Sequence, residues 1–227
     1  MSGNAPMREV AQRVFAEEFN DASHTFRESD DDRAPVYALL PTGAKANRVF
    51  VVGTLTETED VGSEDEYWQG RIVDPTGTFF TYAGQYQPEE AAMLRETEPP
   101  AFVAIVGKPR TYDTDDGETN VSLRPEHLTI TDEAARHRWV VETAERTLER
   151  IERFGEGRES ETAGGGGSAA GVNEYVRMAD EQYDRPSAQY RDLVVTALES
   201  LEDDPSGGSG ESSSEEVGGG AEPEPQP

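Results

Sequence analysis

The chain of 227 residues carries 47 acidic against 20 basic residues, a net charge of −27, and no cysteine, which excludes disulfides, thiolate metal sites and a cysteine nucleophile. Lys45 and Lys108 are its two lysines, and 48–131 alone holds 16 acidic against 6 basic residues, so the acidity is not confined to a tail. Carboxylates spread over every segment suit a protein kept soluble in molar salt, where the Debye length falls to about 3 Å and self-repulsion is screened; the alternative is an ordinary acidic protein with a disordered acidic tail. No apolar run approaches the roughly 20 residues of a membrane span, and no basic start precedes an apolar stretch at the N-terminus, so a cytoplasmic protein with no membrane contact is expected. His24, His127 and His137 lie far apart without ligand spacing, and neither a metal nor a cofactor is expected.

From the N-terminus, Met7, Val10, Ala11, Val14 and Phe15 recur at helical spacing and predict an amphipathic helix over 7–19. A Ser/Asp-rich connector and the short apolar piece 36–40 complete a first segment, 1–44. Five strand-like runs then fill 45–131 in the order β-β-β-α-β-β, the order of an OB-fold barrel. Arg48 to Leu55 is an apolar strand with Gly53 in its middle, and 67–73 is the second strand. The turn 74–77, Asp-Pro-Thr-Gly, joins it to a third at 78–83. Pro88 opens a short helix to Glu96 that plugs the barrel. The fourth strand spans 101–112, an acidic loop 113–117 and the fifth strand 120–124.

After the barrel, Thr131 is a candidate cap for a helix over 132–154, ended by Gly155, with Val140, Val141, Ala144, Leu148, Ile151 and Phe154 as its apolar stripe. That stripe suits either assembly with a partner or packing on the chain's own barrel. The Gly-rich stretch 156–171 reads as a flexible linker, and 172–203 as a separate helical hairpin broken at Arg185-Pro186. About 30 residues are too few for a robust core, so the hairpin needs a partner or the barrel. The tail 204–227 is expected to be disordered. The predicted class is therefore mainly β: a five-stranded OB-fold barrel with amphipathic helices on both sides and a tethered C-terminal helical hairpin.

Sequence-tolerant single-strand binding requires flat aromatic faces and a few cations along a groove. Strand alternation puts Tyr67, Gln69 and Arg71 on one face of the second strand and Trp68, Gly70 and Ile72 on the core face. On the third strand alternation allows either Phe80 and Tyr82 or Phe79 and Thr81 to face inward, and the tyrosine-bearing set is preferred for the outside because a tyrosine hydroxyl tolerates water. Tyr86, Lys108, Arg110, Tyr112 and Arg124 complete the candidate nucleic-acid set, and Arg48 reads instead as a solvated ion-pair partner. The acidic loop at Asp113, Asp115 and Asp116 reads as a solvated turn rather than a cation site, and no enzyme chemistry is expected.

Gly107-Lys108-Pro109-Arg110-Thr111-Tyr112 at the end of the fourth strand, Leu123-Arg124-Pro125 at the end of the fifth and the long helix after Thr131-Asp132-Glu133 resemble the middle subunit of replication protein A (RPA). Over roughly 7 to 200, with the helix from Arg13, Asp74-Pro75-Thr76-Gly77 and Tyr82-Ala83-Gly84-Gln85-Tyr86, the chain resembles the haloarchaeal RPA-associated proteins. The resemblance implies an archaeal, non-enzymatic subunit that partners a larger RPA subunit on single-stranded DNA in replication and repair. It implies base stacking by Tyr82 or Tyr86 and by Tyr112 beside Arg110, and partner assembly through the helix after the barrel. Other replication or repair proteins are possible partners of the hairpin, although the family's C-terminal winged-helix domain has no counterpart of adequate length here.

Overall fold

The computed structural model describes residues 9–31, 33–114, 116–162, 170–184 and 189–202. In chain order the elements are β1 (Gln12–Arg13), α1 (Ala16–Asp21), β2 (Thr25–Arg27), β3 (Val36–Leu39), β4 (Lys45–Ala46), β5 (Val49–Asp60), β6 (Trp68–Asp74), β7 (Gly77–Ala83), α2 (Pro88–Glu96), β8 (Ala101–Asp113), β9 (Thr119–Ile130), α3 (Glu133–Thr162), α4 (Ala170–Gln182) and α5 (Gln189–Glu202).

Five strands close the barrel in the order β5-β6-β7-β9-β8, and β8 returns to β5 from Val49↔Gly107 to Leu55↔Ala101. The pairs are antiparallel except β7 with β9, where Thr81 lies beside Leu123 in parallel register, which completes the OB-fold topology. Period-two alternation fills the interior with Ile72, Phe79, Val103, Ile105 and Leu123, and α2 adds Leu94 over the span its sequence predicts. At the β6–β7 turn the buried Asp74 carboxylate accepts the N–H groups of Thr76 and Gly77 and, at 2.8 Å, of Ala16, tying the hairpin to the start of α1. Burial still pushes its pKa up.

The N-terminal helix is shorter and later than its spacing predicts. Val14, Phe15 and Ala16 are all fully buried, and three consecutive buried residues do not fit one helical stripe. Instead Gln12 donates to the Arg48 carbonyl at 2.9 Å, Gln12–Arg13 add a parallel edge to β5, and the helix begins only at Ala16. Val10 is 85% exposed, and Met7 lies outside the described residues. The connector is also structured: β2, β3 and β4 form a three-stranded antiparallel sheet. Strand β9 runs past Arg124 to Ile130 because a register shift between Val106 and Gly107 leaves Glu126 unopposed and accommodates Pro125.

Helix α3 is capped by Asp132, whose Oδ1 accepts the Ala135 N–H at 2.8 Å, rather than by Thr131. It continues through Gly155 to Thr162, so the first part of the expected linker is helical. A Cβ at Gly157 would stand 3.1 Å from a Val176 methyl, so this glycine lets α4 approach closely, which offsets its poor helix propensity. The apolar stripe is not a free assembly surface. Val140, Ala144, Ile151 and Phe154 are buried in the chain's own core, leaving Val141 and Leu148 at the surface. Trp139 fixes this face: its Nε1 donates to the Phe50 carbonyl at 3.0 Å, and its ring meets Phe15 edge-on at 5.6 Å. Immediately before Ile151, buried Arg150 donates to Glu18 at 2.6 Å, Thr42 at 3.0 Å and the Arg13 carbonyl at 3.1 Å.

The C-terminal helices are not a separate module. Tyr190, Leu193, Val194 and Ala197 of α5 belong to the main core, and Val176 and Ala179 of α4 pack with Leu39 and Phe154. The core that the hairpin cannot build alone is supplied by α3 and the N-terminal sheet. The remaining linker, the Arg185-Pro186 break, Asp115 and the acidic tail lie outside the described residues. No described helix is long and apolar enough to cross a membrane.

Candidate nucleic-acid interface

The pairing of β6 with β7 puts Gln69 opposite Tyr82 and Arg71 opposite Phe80 on the outside of the barrel. Phe79, Thr81 and Ala83 alternate inward and are fully buried, while Phe80 and Tyr82 are half-buried. Trp68 is partly buried against the core, as its alternation predicts. Tyr67, just ahead of β6 and 45% exposed, lays its ring 5.7 Å from Tyr82 at 15° from parallel. Gln69 Nε2 donates to the Tyr82 hydroxyl at 2.7 Å and fixes that ring from the neighbouring strand. Tyr112, near the end of β8, meets the same hydroxyl; burial first, then Tyr112, pushes the Tyr82 phenol pKa up.

Lys108, Arg110 and Tyr112 alternate along one face of β8, with Lys108 opposite Arg124 and Arg110 opposite Ser122 on β9. Because Thr81 lies beside Leu123, the parallel register carries Tyr82 next to Arg124 on the same outer face. The sheet thus gathers Tyr67, Arg71, Phe80, Tyr82, Lys108, Arg110, Tyr112 and Arg124. Tyr86, 83% exposed, lies beyond the strand end, where it lines a small recess with Tyr67 and Gly84.

The cations differ in their engagement. Arg48 forks onto Glu126 through Nε and, at 3.0 Å, a terminal nitrogen, in keeping with its reading as an ion-pair partner. Lys108 shares that carboxylate at 3.6 Å, and the two cations, Arg48 foremost, hold the Glu126 pKa below the usual range. Among the described residues Arg71, Arg110 and Arg124 form no ion pair, although β5 places Glu57 opposite Arg71.

The loops on either side are held by their own hydrogen bonds. Asp60 accepts the N–H groups of Gly62 and Tyr67, each at 3.0 Å, which orients Tyr67 and lowers the Asp60 pKa. At the other end the Thr114 N–H donates to the Glu118 carbonyl at 2.8 Å, and Gly117 adopts φ 81° to close the turn beyond Tyr112. The face offers parallel rings for stacking and a few cations for phosphates, inside a carboxylate rim that includes Glu57, Glu59, Asp113 and Glu118. Gln69 is the residue that sequence reasoning did not select. Alternation put it on the outer face, but its role depends on the cross-strand register.

No protein-family model matches the chain, and no curated protein is similar to it in sequence. Among solved structures it is similar to the mitochondrial single-stranded DNA binding protein Rim1 of S. cerevisiae, with 20% identity, 38% of this chain and 94% of that one covered, and a TM-score of 0.30. It is also similar to the second single-stranded DNA binding protein of Mycobacterium smegmatis, with 13% identity, coverage of 37% and 86%, and a TM-score of 0.32. A third is OBody NL8 bound to hen egg-white lysozyme, with 16% identity, coverage of 38% and 94%, and a TM-score of 0.32.

Proposed function

We propose that this chain binds single-stranded DNA across the outer face of β6, β7, β9 and β8. The observation that carries the reading is the cluster of Tyr67, Tyr82 and Tyr112 between the β5–β6 and β8–β9 loops. OB-folds receive oligonucleotides on their second and third strands and between the corresponding loops. Each stacked base is worth roughly 1 to 3 kcal/mol and is sequence-tolerant. In molar salt the cation contribution is small and the acidic rim is screened, so stacking dominates affinity.

The finer part of the proposal is an accessory subunit of an archaeal RPA complex, non-enzymatic, acting in replication and repair beside a larger RPA subunit. An acidic chain with few free cations benefits from a partner that extends the groove. With most of the α3 stripe turned inward, Val141 and Leu148 are what that helix offers a partner. A second reading, a protein-interaction scaffold that touches no DNA, is favoured by the carboxylate rim.

Anisotropy of fluorescent single-stranded DNA, titrated in molar potassium chloride with the chain alone and with a large RPA subunit, separates these readings. Binding weakened by joint replacement of Tyr82 and Tyr112 with Ala supports a DNA-contacting subunit. Binding by the complex alone, indifferent to that double variant, supports the scaffold.

A further inference from the structure

We propose that Arg110 and Arg124 together form a site for one phosphate group. The proposal rests on the single-strand reading for the source of that phosphate, a nucleic-acid backbone; otherwise the ligand is free phosphate.

The two arginines are diagonal neighbours on the outer face of the β8–β9 ladder, since Arg124 faces Lys108 and Arg110 faces Ser122. Diagonal positions stand about 7 to 8 Å apart, within joint reach of two guanidinium forks on one anion. Like charges at such positions repel unless an anion lies between them. The chain has 47 carboxylates, yet among the described residues none pairs with either arginine, whereas Arg48 and Lys108 nearby share Glu126. Arg124 Nε is buried with no hydrogen-bond partner, a donor without an acceptor. Burial, and then Arg124, draw the Arg110 pKa below its ordinary value, as expected of a cation lacking its counter-charge. Two guanidinium groups suit the tetrahedral oxygens of phosphate. Tyr82 beside Arg124, and Tyr112 two residues from Arg110, supply rings where the bases flanking a bound phosphate would lie.

The test uses the full chain labelled at arginine nitrogens, with potassium phosphate replacing potassium chloride at constant ionic strength. The Nε–H resonances of Arg110 and Arg124 should shift together along one saturable isotherm while Arg71 stays in place, and Arg124→Gln should abolish the Arg110 shift. A linear drift, or no shift at either arginine, overturns the site. A second arm measures single-strand affinity against potassium chloride concentration for the native chain, Arg110→Gln, Arg124→Gln and the double variant. One shared phosphate predicts that each variant, the double included, flattens the log–log slope by the same ~0.7. A double variant that flattens it by twice as much overturns the shared site. Should the native chain bind no single strand at any salt, the single-strand reading fails while the phosphate titration still decides this one.

Discussion

The ring of Tyr82 lies 5.7 Å from that of Tyr67 and within 15° of parallel, so a β7 residue and a loop residue ahead of β6 present one continuous aromatic surface. A base stacked on either ring extends the same pile. Replacing Tyr82 by Ala should therefore weaken single-strand binding about 5- to 160-fold, the effect of roughly 1 to 3 kcal/mol, and Tyr112→Ala by a similar amount. Glu118→Ala, on the rim, should change affinity less than threefold. Equal losses from all three in an anisotropy titration would reject the face.

Gly84 lies under this platform. A Cβ there would stand 2.8 Å from the Tyr67 ring, and the ring rather than the barrel is free to give way. Gly84→Ala is thus expected to tilt Tyr67 off the Tyr82 plane and weaken binding several-fold without moving the melting temperature by more than a few degrees. A ring pinned in place would instead show as lost stability at native affinity.

The barrel was legible because its signals are local: Gly53 within an apolar run, Asp-Pro-Thr-Gly between two strands, and Pro88 opening α2 each fix one step of an OB-fold. The N-terminal segment was not, because Val10, Val14 and Phe15 match a helical period only by coincidence. What decides their fate is the pairing of Gln12 with Arg48, a tertiary hydrogen bond that no periodicity encodes. The α3 stripe had two consistent outcomes, and Trp139, bonded to the Phe50 carbonyl, selects the inward one. In the candidate site, alternation sorted faces correctly on β6. The neighbours that matter, Tyr82 beside Arg124 and Gln69 beneath Tyr82, come from β7–β9 closure and cross-strand register.

Arg150 and Glu18 form an ion pair whose side chains are 4% and 1% exposed, joined by Thr42 and Thr147. Removing one partner leaves the other charge buried and unpaired. Arg150→Ala should destabilise the fold by about 3 to 5 kcal/mol in denaturant unfolding, whereas Arg146→Ala, at the exposed pair with Glu149, should cost under about 1 kcal/mol. Replacing Arg150 and Glu18 together by Met and Leu should recover most of the loss. A double variant as unstable as Arg150→Ala would mean that the charges themselves are required.

Glu126 of β9 is tied to Arg48, just ahead of β5, and to Lys108 of β8, and the two cations hold its pKa below the 4.5 of a free glutamate. A lowered folded-state pKa means that the unfolded chain takes up the proton first on acidification. Its stabilisation is therefore complete above about pH 4.5 and is lost as the pH falls through the folded-state value. The stability gap between the native protein and Glu126→Gln should be full at pH 6 and close as the pH falls through the folded-state value. A gap that stays constant with falling pH until the protein unfolds in acid would assign the Glu126 contribution to packing instead.

At the alkaline end the sensitive group is Tyr183, which docks the end of α4 by donating to the Leu39 carbonyl at 2.6 Å and accepting the His24 N–H at 3.1 Å. Burial is the main cause that pushes its pKa from 10.0 up to about 12. Between those values the unfolded chain loses the phenol proton while the folded chain keeps it, so unfolding becomes easier with rising pH. Stability should fall from about pH 10 toward about pH 12, and Tyr183→Phe should remove part of that slope. The same variant leaves the Leu39 carbonyl and His24 N–H without their partner, so it should already be about 1 to 3 kcal/mol less stable at pH 7. Unchanged stability at pH 7 together with an unchanged alkaline slope would show that α4 is held by Val176 and Ala179 packing rather than by this hydroxyl.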